Sequence, residues 1–297
     1  MNSRPLVVGI GEILWDLLPT GRALGGAPAN FAYHAGALGA DAVIVSAVGD
    51  DEPGREILAA LAGRGLDPGY VVTVAGAPTG TVGVTLDAEG VPRYVIQKDV
   101  AWDRNPWTQR LAELAAQADA VCYGTLAQRS DVSRSTIRSF LEATRPACLR
   151  VLDLNLRLPF PGRDVVHELL ERSSVLKLND EELRAVAGFF AIEGTEIAVL
   201  ERLLERYPLS LIALTKGRAG SRLFGRGVDA AHPGYPVAPV DTVGAGDAFS
   251  AALALGLLAK KDWDVLGDRA NRIASYVCTH KGAWPDIPAE LAAEATA

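Results

Sequence analysis

Between Asp241 and Phe249 the chain reads Asp-Thr-Val-Gly-Ala-Gly-Asp-Ala-Phe and runs straight into a small-residue helical segment, Ser250 to Ala259. Small residues at Gly244, Ala245 and Gly246 let backbone N–H groups converge on an anion, and the helix macrodipole adds positive potential there. A phosphate fits such a turn. Asp247 then presents a carboxylate in the first turn, placed to accept a proton from a hydroxyl that approaches the phosphate. That is a general base beside an anion hole. The structural alternative is an aspartate that only stabilises the dipole behind a glycine-rich helix start. The turn is not a Walker A loop, because GxxxxGK[ST] occurs nowhere, and Gly9-Ile-Gly11 lacks the third glycine of a dinucleotide fingerprint.

A second glycine-bearing helix start is Gly25-Gly26-Ala27-Pro28-Ala29-Asn30-Phe31-Ala32. Gly25 and Gly26 permit close ligand approach, and Asn30 faces back toward the turn. Asp16, in Gly11-Glu12-Ile13-Leu14-Trp15-Asp16, lies near the end of the first strand region, where ligands of open α/β sheets collect. A carboxylate and a carboxamide together suit a polyhydroxylated ligand. The plainer alternative makes Asn30 a helix cap and Asp16 a loop residue.

The elements that must position these groups are short β-branched runs, each followed by a polar or glycine-bearing turn and an Ala/Leu-rich segment. They are Leu6 to Ile10, Ala42 to Val48, Ala120 to Tyr123, Leu149 to Leu154, Val175 to Leu178 and Leu211 to Leu214. The alternation predicts βαβ units, and continuous apolarity within the runs predicts burial on both faces of a parallel sheet between helices. Thr79 to Gln97 breaks the rhythm with alternating Val and Thr on either side of Asp87-Ala-Glu-Gly90, a hairpin signal. Such a hairpin is expected outside the main sheet, as a lid over an edge; the alternative is a plain edge hairpin. Asp50-Asp51-Glu52-Pro53 predicts a capped helix over Arg55 to Leu61, and Asp131 and Ser133 are expected only to cap the next helix.

With 297 residues, 49% hydrophobic and 22% charged, the chain has material for one large core and does not read as disordered. Its 29 basic and 36 acidic residues give a net charge of −7 without any run of Lys or Arg. That argues against nucleic-acid or anionic-membrane partners and for small solutes. Three separated cysteines without CxxC, and four histidines without HxxxH or HExxH, point away from a built-in zinc site. The cysteines read as small apolar filler. The longest mostly apolar stretch, Ala248 to Ala259, falls short of the roughly 20 residues that span a bilayer, and the N-terminus has no signal-peptide pattern. A cytoplasmic location is expected.

Taken together, the two helix starts resemble the PfkB or ribokinase-like carbohydrate kinases. DTVGAGDAF is similar to that family's C-terminal signature, and GGAPANFAYHAGALGA with VGDDEPGREILAAL to its N-terminal one. Asp153-Leu-Asn155-Leu-Arg157, Lys177-Leu-Asn179-Asp-Glu-Glu182-Leu and Thr215-Lys-Gly217-Arg-Ala-Gly220-Ser match in order. The resemblance implies one ribokinase-like layered α/β/α domain over residues 1–297, with a mostly parallel central sheet. A small β lid would come mainly from about 79–99 plus part of 12–30. It implies a kinase that uses ATP and Mg²⁺, with K⁺ as a monovalent activator. Asp247 would deprotonate a sugar hydroxyl beside the Gly244, Ala245 and Gly246 anion hole. Asp16, Gly26 and Asn30 would hold sugar hydroxyls. Asn179 and Glu182 would serve the magnesium triphosphate through water. Thr215, Gly217 and Gly220 would line the ATP site, with Asn271 on its adenine side and Asp241 beside the monovalent cation. Lids of this family sometimes pair, which implies a homodimer.

For the substrate, Ala27-Pro28 after the double glycine resembles fructokinases and 2-keto-3-deoxygluconate kinases rather than ribokinases. The Gly11-to-Pro19 opening and the Lys177 to Leu183 segment look most like fructokinases, so fructose is the first expectation. An acidic sugar would need a fixed cation, for which Arg93, Lys98 and Arg157 are available, although Arg157 could equally make a strand-end salt bridge. Trp102 could stack on a sugar face or simply pack. A sugar-binding regulator that has lost turnover is the reading from another class; intact Asp247 and its glycines argue against it.

Overall fold

The computed structural model describes residues 4–18, 21–86, 92–157 and 160–296. Strands within them are β1 (Leu6–Ile10), β2 (Leu14–Leu18), β3 (Gly21–Gly25), β4 (Asp41–Gly49), β5 (Val71–Val74), β6 (Thr81–Leu86) and β7 (Pro92–Ile96). Then follow β8 (Ala120–Tyr123), β9 (Leu149–Asp153), β10 (Val175–Asn179), β11 (Leu211–Thr215), β12 (Ser221–Gly225) and β13 (Val228–His232). The helices are α1 (Ala27–Ala37), α2 (Glu52–Gly63), α3 (Gln109–Gln117), α4 (Asp131–Ala143) and α5 (Arg163–Arg172). The C-terminal half adds α6 (Asp180–Phe190), α7 (Glu196–Arg206), α8 (Ala245–Leu258), α9 (Trp263–Cys278) and α10 (Ala289–Thr296).

Each of the six apolar runs becomes a strand of one nine-stranded sheet, ordered β13-β12-β11-β10-β9-β8-β1-β4-β5. Pairing is parallel from β11 to β5 and antiparallel at β12 and β13. Continuous apolarity has the expected cause. Val8, Ile10, Val121, Leu152, Leu176 and Ile212 turn to a layer holding α3 to α7. Their neighbours Val7, Cys122, Val151, Val175 and Ala213 turn to α1, α8 and α9 on the opposite face. The result is the layered α/β/α arrangement expected from the sequence.

A second sheet, ordered β3-β2-β6-β7, stands apart from the first. β6 and β7 pair antiparallel as the hairpin; its Asp87 to Gly90 turn lies outside the described residues. In the register of β2, Asp16 sits across from Ala23 and Val82, and Leu17 from Arg22 and Gly83. Successive strand residues face opposite ways, so Asp16 and Ala23 share one face and Leu17 and Arg22 the other. Space for a Cβ at Gly282 ends 3.8 Å from the Ala23 methyl, so the Asp16 face is the one turned to the body.

Two local expectations need correction. The small-residue helix begins at Ala245 rather than Ser250, with Gly244 as its left-handed N-cap, so the glycine turn is the helix's own first turn. Ser133 does not cap α4: its hydroxyl donates to Trp102 O and accepts from Asn105 N, tying α4 to the 101–104 turn. Asp51 does cap α2, accepting from Gly54 N at 2.9 Å.

Candidate active site

The parallel strands end along one edge. Glu12 follows β1, Asp153 ends β9, Asn179 ends β10 and Thr215 ends β11. Side chains that meet at this edge line the crevice where open α/β sheets take ligands. The α8 helix starts against it. Gly244 has φ 79°, and a Cβ there would lie 2.7 Å from the Ala283 methyl, so both backbone conformation and space demand glycine. Asp247 is the third residue of this helix, inside the positive end of its dipole. The Ala245 N–H makes only a long 3.3 Å bond to Thr242 O.

Asp247 joins the two glycine-bearing helix starts. Asn30, in the first turn of α1, donates from Nδ2 to Asp247 Oδ2 at 2.7 Å, and its Oδ1 accepts from Trp284 Nε1 at 2.6 Å. Burial and the neighbouring Asp153 push the Asp247 carboxyl up to about 7, against the pull of Lys177, the Asn30 amide and Arg157. A carboxyl so tuned exchanges protons near neutrality, as a general base must.

Beneath α8, Lys177 Nζ donates to Asp153 Oδ1 at 3.0 Å, and Ser250 Oγ donates to Asp153 Oδ2 at 2.9 Å. Burial by itself lowers the Lys177 ammonium, yet Asp153, Glu182 and Asp247 together hold it above the usual lysine range. It stays charged below the anion turn.

On the β1 side, Gly26 has φ 107° and a Cβ on it would lie 2.4 Å from Glu12 O. A Cβ on Gly25 would lie 2.2 Å from Asp16 Oδ2, so this glycine makes room for the carboxylate itself. Burial pushes Asp16 up to about 6, with Arg157 opposing and Asp241 adding. Glu12 is 2% exposed. Burial pushes it up to about 7; its own N–H, Arg157 and the Ala27 N–H oppose the shift and Asp247 adds to it. Its Oε2 has no hydrogen-bond partner among the described residues. Arg157 is exposed, and its charge acts on Glu12, Asp16 and Asp247 alike.

Across the sheet edge, Asn179 caps α6. Its Oδ1 accepts from Glu182 N while Glu182 Oε2 accepts from Asn179 N, each at 2.8 Å, and Glu182 Oε1 accepts from Leu156 N at 2.8 Å. Asn179 is in register with Thr215, and Thr215 with Ser221. Ser221 Oγ accepts from Asn271 Nδ2, which also donates to Gly267 O, both at 2.7 Å. Gly217 and Gly220 form the tight link between β11 and β12. Asp241 accepts from Val243 N at Oδ1 and from Gly282 N at Oδ2, each at 3.0 Å.

Hydrogen bonds, close approaches and shared electrostatics bring Asp16, Gly25, Gly26, Asn30, Asp241, Gly244, Ala245, Gly246, Asp247 and Arg157 together where α8 meets the strand ends. Asn179, Glu182, Thr215, Gly217, Gly220 and Asn271 follow at the ends of β10 and β11 and beside the start of β12. Trp102 packs instead: it is 1% exposed, with the Arg129 guanidinium 3.9 Å over its ring and the space of a Gly80 Cβ 2.3 Å from its Nε1. Lys98 places its ammonium over the Phe160 ring, and the side chain of Arg93 lies outside the described part. Sequence reasoning gave no role to Glu12, Lys177, Ser250 or Trp284. A lysine inside the apolar run Val175 to Leu178 was the available signal for Lys177; for Trp284 there was none. Among the described residues, no three His, Cys, Asp or Glu side chains cluster as a metal site, and no helix is long and apolar enough to cross a membrane.

Comparison with known proteins identifies the family. The profile of the pfkB family carbohydrate kinases matches residues 20–290. The chain is 34% identical to a fructokinase of Klebsiella pneumoniae, covering 97% of each chain. It is 32% identical to fructokinase-1 of Oryza sativa, covering 96% of this chain and 95% of that one. The structure of an uncharacterized sugar kinase from Pyrococcus horikoshii in complex with ATP superposes with a TM-score of 0.81 at 28% identity, covering 98% of this chain and 99% of that one. On a match over most of its length and full-length relatives above 30% identity, the chain belongs to the pfkB family of carbohydrate kinases.

Proposed function

We propose that the protein transfers the γ-phosphoryl group of ATP to a hydroxyl of a small sugar, with fructose as substrate. The observation that carries this reading is Asp247 in the first turn of α8, held by Asn30 from the opposite glycine-bearing helix start. Phosphoryl transfer asks for in-line positioning and charge neutralisation more than covalent chemistry. Asp247 takes the proton from the attacking hydroxyl. Gly244, Ala245 and Gly246 offer backbone N–H groups to the transferring phosphoryl, with Lys177 below them. Asp16 and Asn30 hold sugar hydroxyls beside Gly25 and Gly26. Thr215, Gly217, Gly220 and Asn271 line the nucleotide side.

Asn179 and Glu182 suit the water shell of a magnesium ion, since each Glu182 oxygen accepts one backbone N–H and keeps a further lone pair. Bound there with ATP, magnesium neutralises phosphate charge. Asp241, bridging the backbone at Val243 and Gly282, would stand beside a potassium ion.

Fructose is favoured by the fructokinase relatives and by electrostatics. Glu12, Asp16 and Asp247 share one arginine, Arg157, and the second cation, Lys177, is already paired with Asp153, a balance that suits a neutral polyol better than a sugar acid. The second reading, 2-keto-3-deoxygluconate, rests on that same exposed arginine.

The four-stranded sheet acts as a lid that excludes water from the transfer. Its outer face exposes Leu17 and Val95, which flank Gly83 in register, and this apolar row supports a homodimer formed through the lids. The expected location is the cytoplasm.

The test is a coupled ADP-release assay with MgATP, with and without K⁺, against fructose, 2-keto-3-deoxygluconate, ribose, fructose 6-phosphate, tagatose 6-phosphate and nucleosides. Fructose turnover supports the reading. Preference for the keto-deoxy acid replaces it with the second, and silence across the panel overturns both and leaves another sugar or a sugar-binding regulator without turnover.

A further inference from the structure

The Asn30 side chain has one donor group and one acceptor atom; the ionised Asp247 carboxylate can only accept, and the Trp284 indole N–H can only donate. The Asp247 carboxylate accepts from Nδ2, and the Trp284 indole donates to Oδ1. Turning the amide over would set Oδ1 against a carboxylate and Nδ2 against an N–H donor, losing both bonds at once. Asn30 is 3% exposed and Trp284 7%, so neither lost bond would be replaced cheaply by water. Asp247 alone leaves the amide free to pivot about its bond; the indole removes that freedom.

Trp284 is itself held from several sides. Its ring stacks on Tyr33 with centroids 4.5 Å apart and planes 9° from parallel. Arg64 lies over both rings and donates from Nη1 to Tyr33 Oη at 3.0 Å and to Trp284 O at 3.1 Å. Flanking carbonyls are pinned as well: His34 Nε2 bonds Ala283 O at 2.9 Å, and Tyr33 Oη donates to Pro285 O at 3.0 Å. Burial lowers His34 to about 4, so its ring is neutral and Nε2 carries the hydrogen. A merely apolar plug would not need its N–H aimed at an amide, nor both neighbouring carbonyls fixed.

We propose that Trp284 is a positioning residue for the reaction: its indole N–H locks the Asn30 amide so that Asn30 donates to Asp247 and holds the base carboxylate in line with the sugar hydroxyl. The inference rests on the reading of Asp247 as the base. The other titratable and charged groups that face Asp247 are Glu12 after β1, Cys122 in β8, Asp153 at the end of β9, Arg157 in the loop beyond it, and Lys177 in β10. Among the described residues the hydrogen bonds of Trp284 go to Asn30 and Arg64 and to none of these groups, so a change at the indole N–H reaches the base through Asn30.

The test is Trp284→Phe, which keeps an aromatic ring on Tyr33 and deletes the N–H. The pH profile of kcat/KM for the sugar is measured beside wild type and Asp247→Asn. Trp284→Phe is expected to move the acid limb to higher pH and to lower kcat/KM about tenfold at pH 6, with the KM for ATP unchanged. An acid limb and kcat equal to wild type overturn the proposal, even if the melting temperature falls. Should Trp284→Phe not fold, benzothienylalanine at position 284 keeps the bicyclic shape without the N–H, and the same two outcomes apply. If Asp247→Asn keeps wild-type turnover, the reading of the base fails. If Asp247→Asn is dead and the position-284 variants keep the wild-type profile, only the role of Trp284 fails.

Discussion

Lys177 ends directly beneath Gly246: a methyl group on Gly246 would lie 2.7 Å from the lysine Nζ. The glycine turn is thus small on its inner side as well as its outer one. Lys177 comes from the middle strands of the sheet and is 8% exposed. It is held there by Asp153, whose second oxygen is taken by Ser250 from the next turn of α8. The helix that carries Asp247 is therefore tied through Ser250 to a charged pair between two strands, and the positive end of that pair faces the turn read as an anion hole.

Gly246→Ala tests this arrangement. The new methyl must displace a buried ammonium from Asp153, and overpacking of this kind costs about 1–3 kcal/mol. A melting temperature lowered by several degrees is expected, with kcat reduced about tenfold or more because the donors of the turn shift. Unchanged melting and turnover would show that Lys177 yields freely and does not support the site.

Asp247→Asn is expected to leave the KM values for sugar and ATP within a few-fold of wild type while kcat falls by about 10²–10⁴. The wild-type profile supplies the second half of the test. Burial and Asp153 raise this carboxyl to about 7, so the ionised base is lost as pH falls below that value. Wild-type kcat/KM should rise with pH through about 7, and the residual activity of the variant should lack that limb. Stopped turnover assays between pH 5.5 and 8.5 would decide it.

Much of this site is legible in the sequence because its pieces are local. A glycine turn running into small residues announces a helix start open to an anion, and continuous apolar runs announce strands buried on both faces. What is not legible is pairing across distance. Asn30 and Asp247 are 217 residues apart, and Asn30 and Trp284 are 254 apart, so no spacing links them. Trp102 is ambiguous for a different reason: an aromatic side chain suits a ligand and a core equally, and its burial, with Arg129 over its ring, decides for packing. Ser133 reads as a cap because its type and place allow one, yet tertiary partners take its hydroxyl.

Asp16→Ala is expected to raise the sugar KM at least tenfold with a smaller effect on kcat, as loss of a hydroxyl-binding carboxylate would. Gly25→Ala supplies an independent check without deleting any polar group. Its methyl would lie 2.2 Å from Asp16 Oδ2, so the carboxylate must leave its place. The two variants should show the same rise in KM in steady-state assays. A normal sugar KM in both would remove Asp16 from the site.

Glu12→Gln probes the cost of the unpartnered carboxyl. Burial raises Glu12 from an ordinary 4.5 to about 7, so between those values the folded chain holds a proton that the unfolded chain has released. Stability carried by this group is therefore full below about pH 4.5 and declines as pH rises toward 7, by about 3 kcal/mol in all. A glutamine cannot ionise and escapes that decline, although it gives up one acceptor for the N–H groups of Glu12 and Ala27 and starts with a fixed handicap. The slope, rather than the offset, is the test. Urea unfolding at intervals from pH 5 to pH 8 should show the variant gaining on wild type as pH rises, most steeply between 5 and 7. Parallel curves would mean that Glu12 is ionised throughout and finds compensation, with Arg157 as the opposing charge.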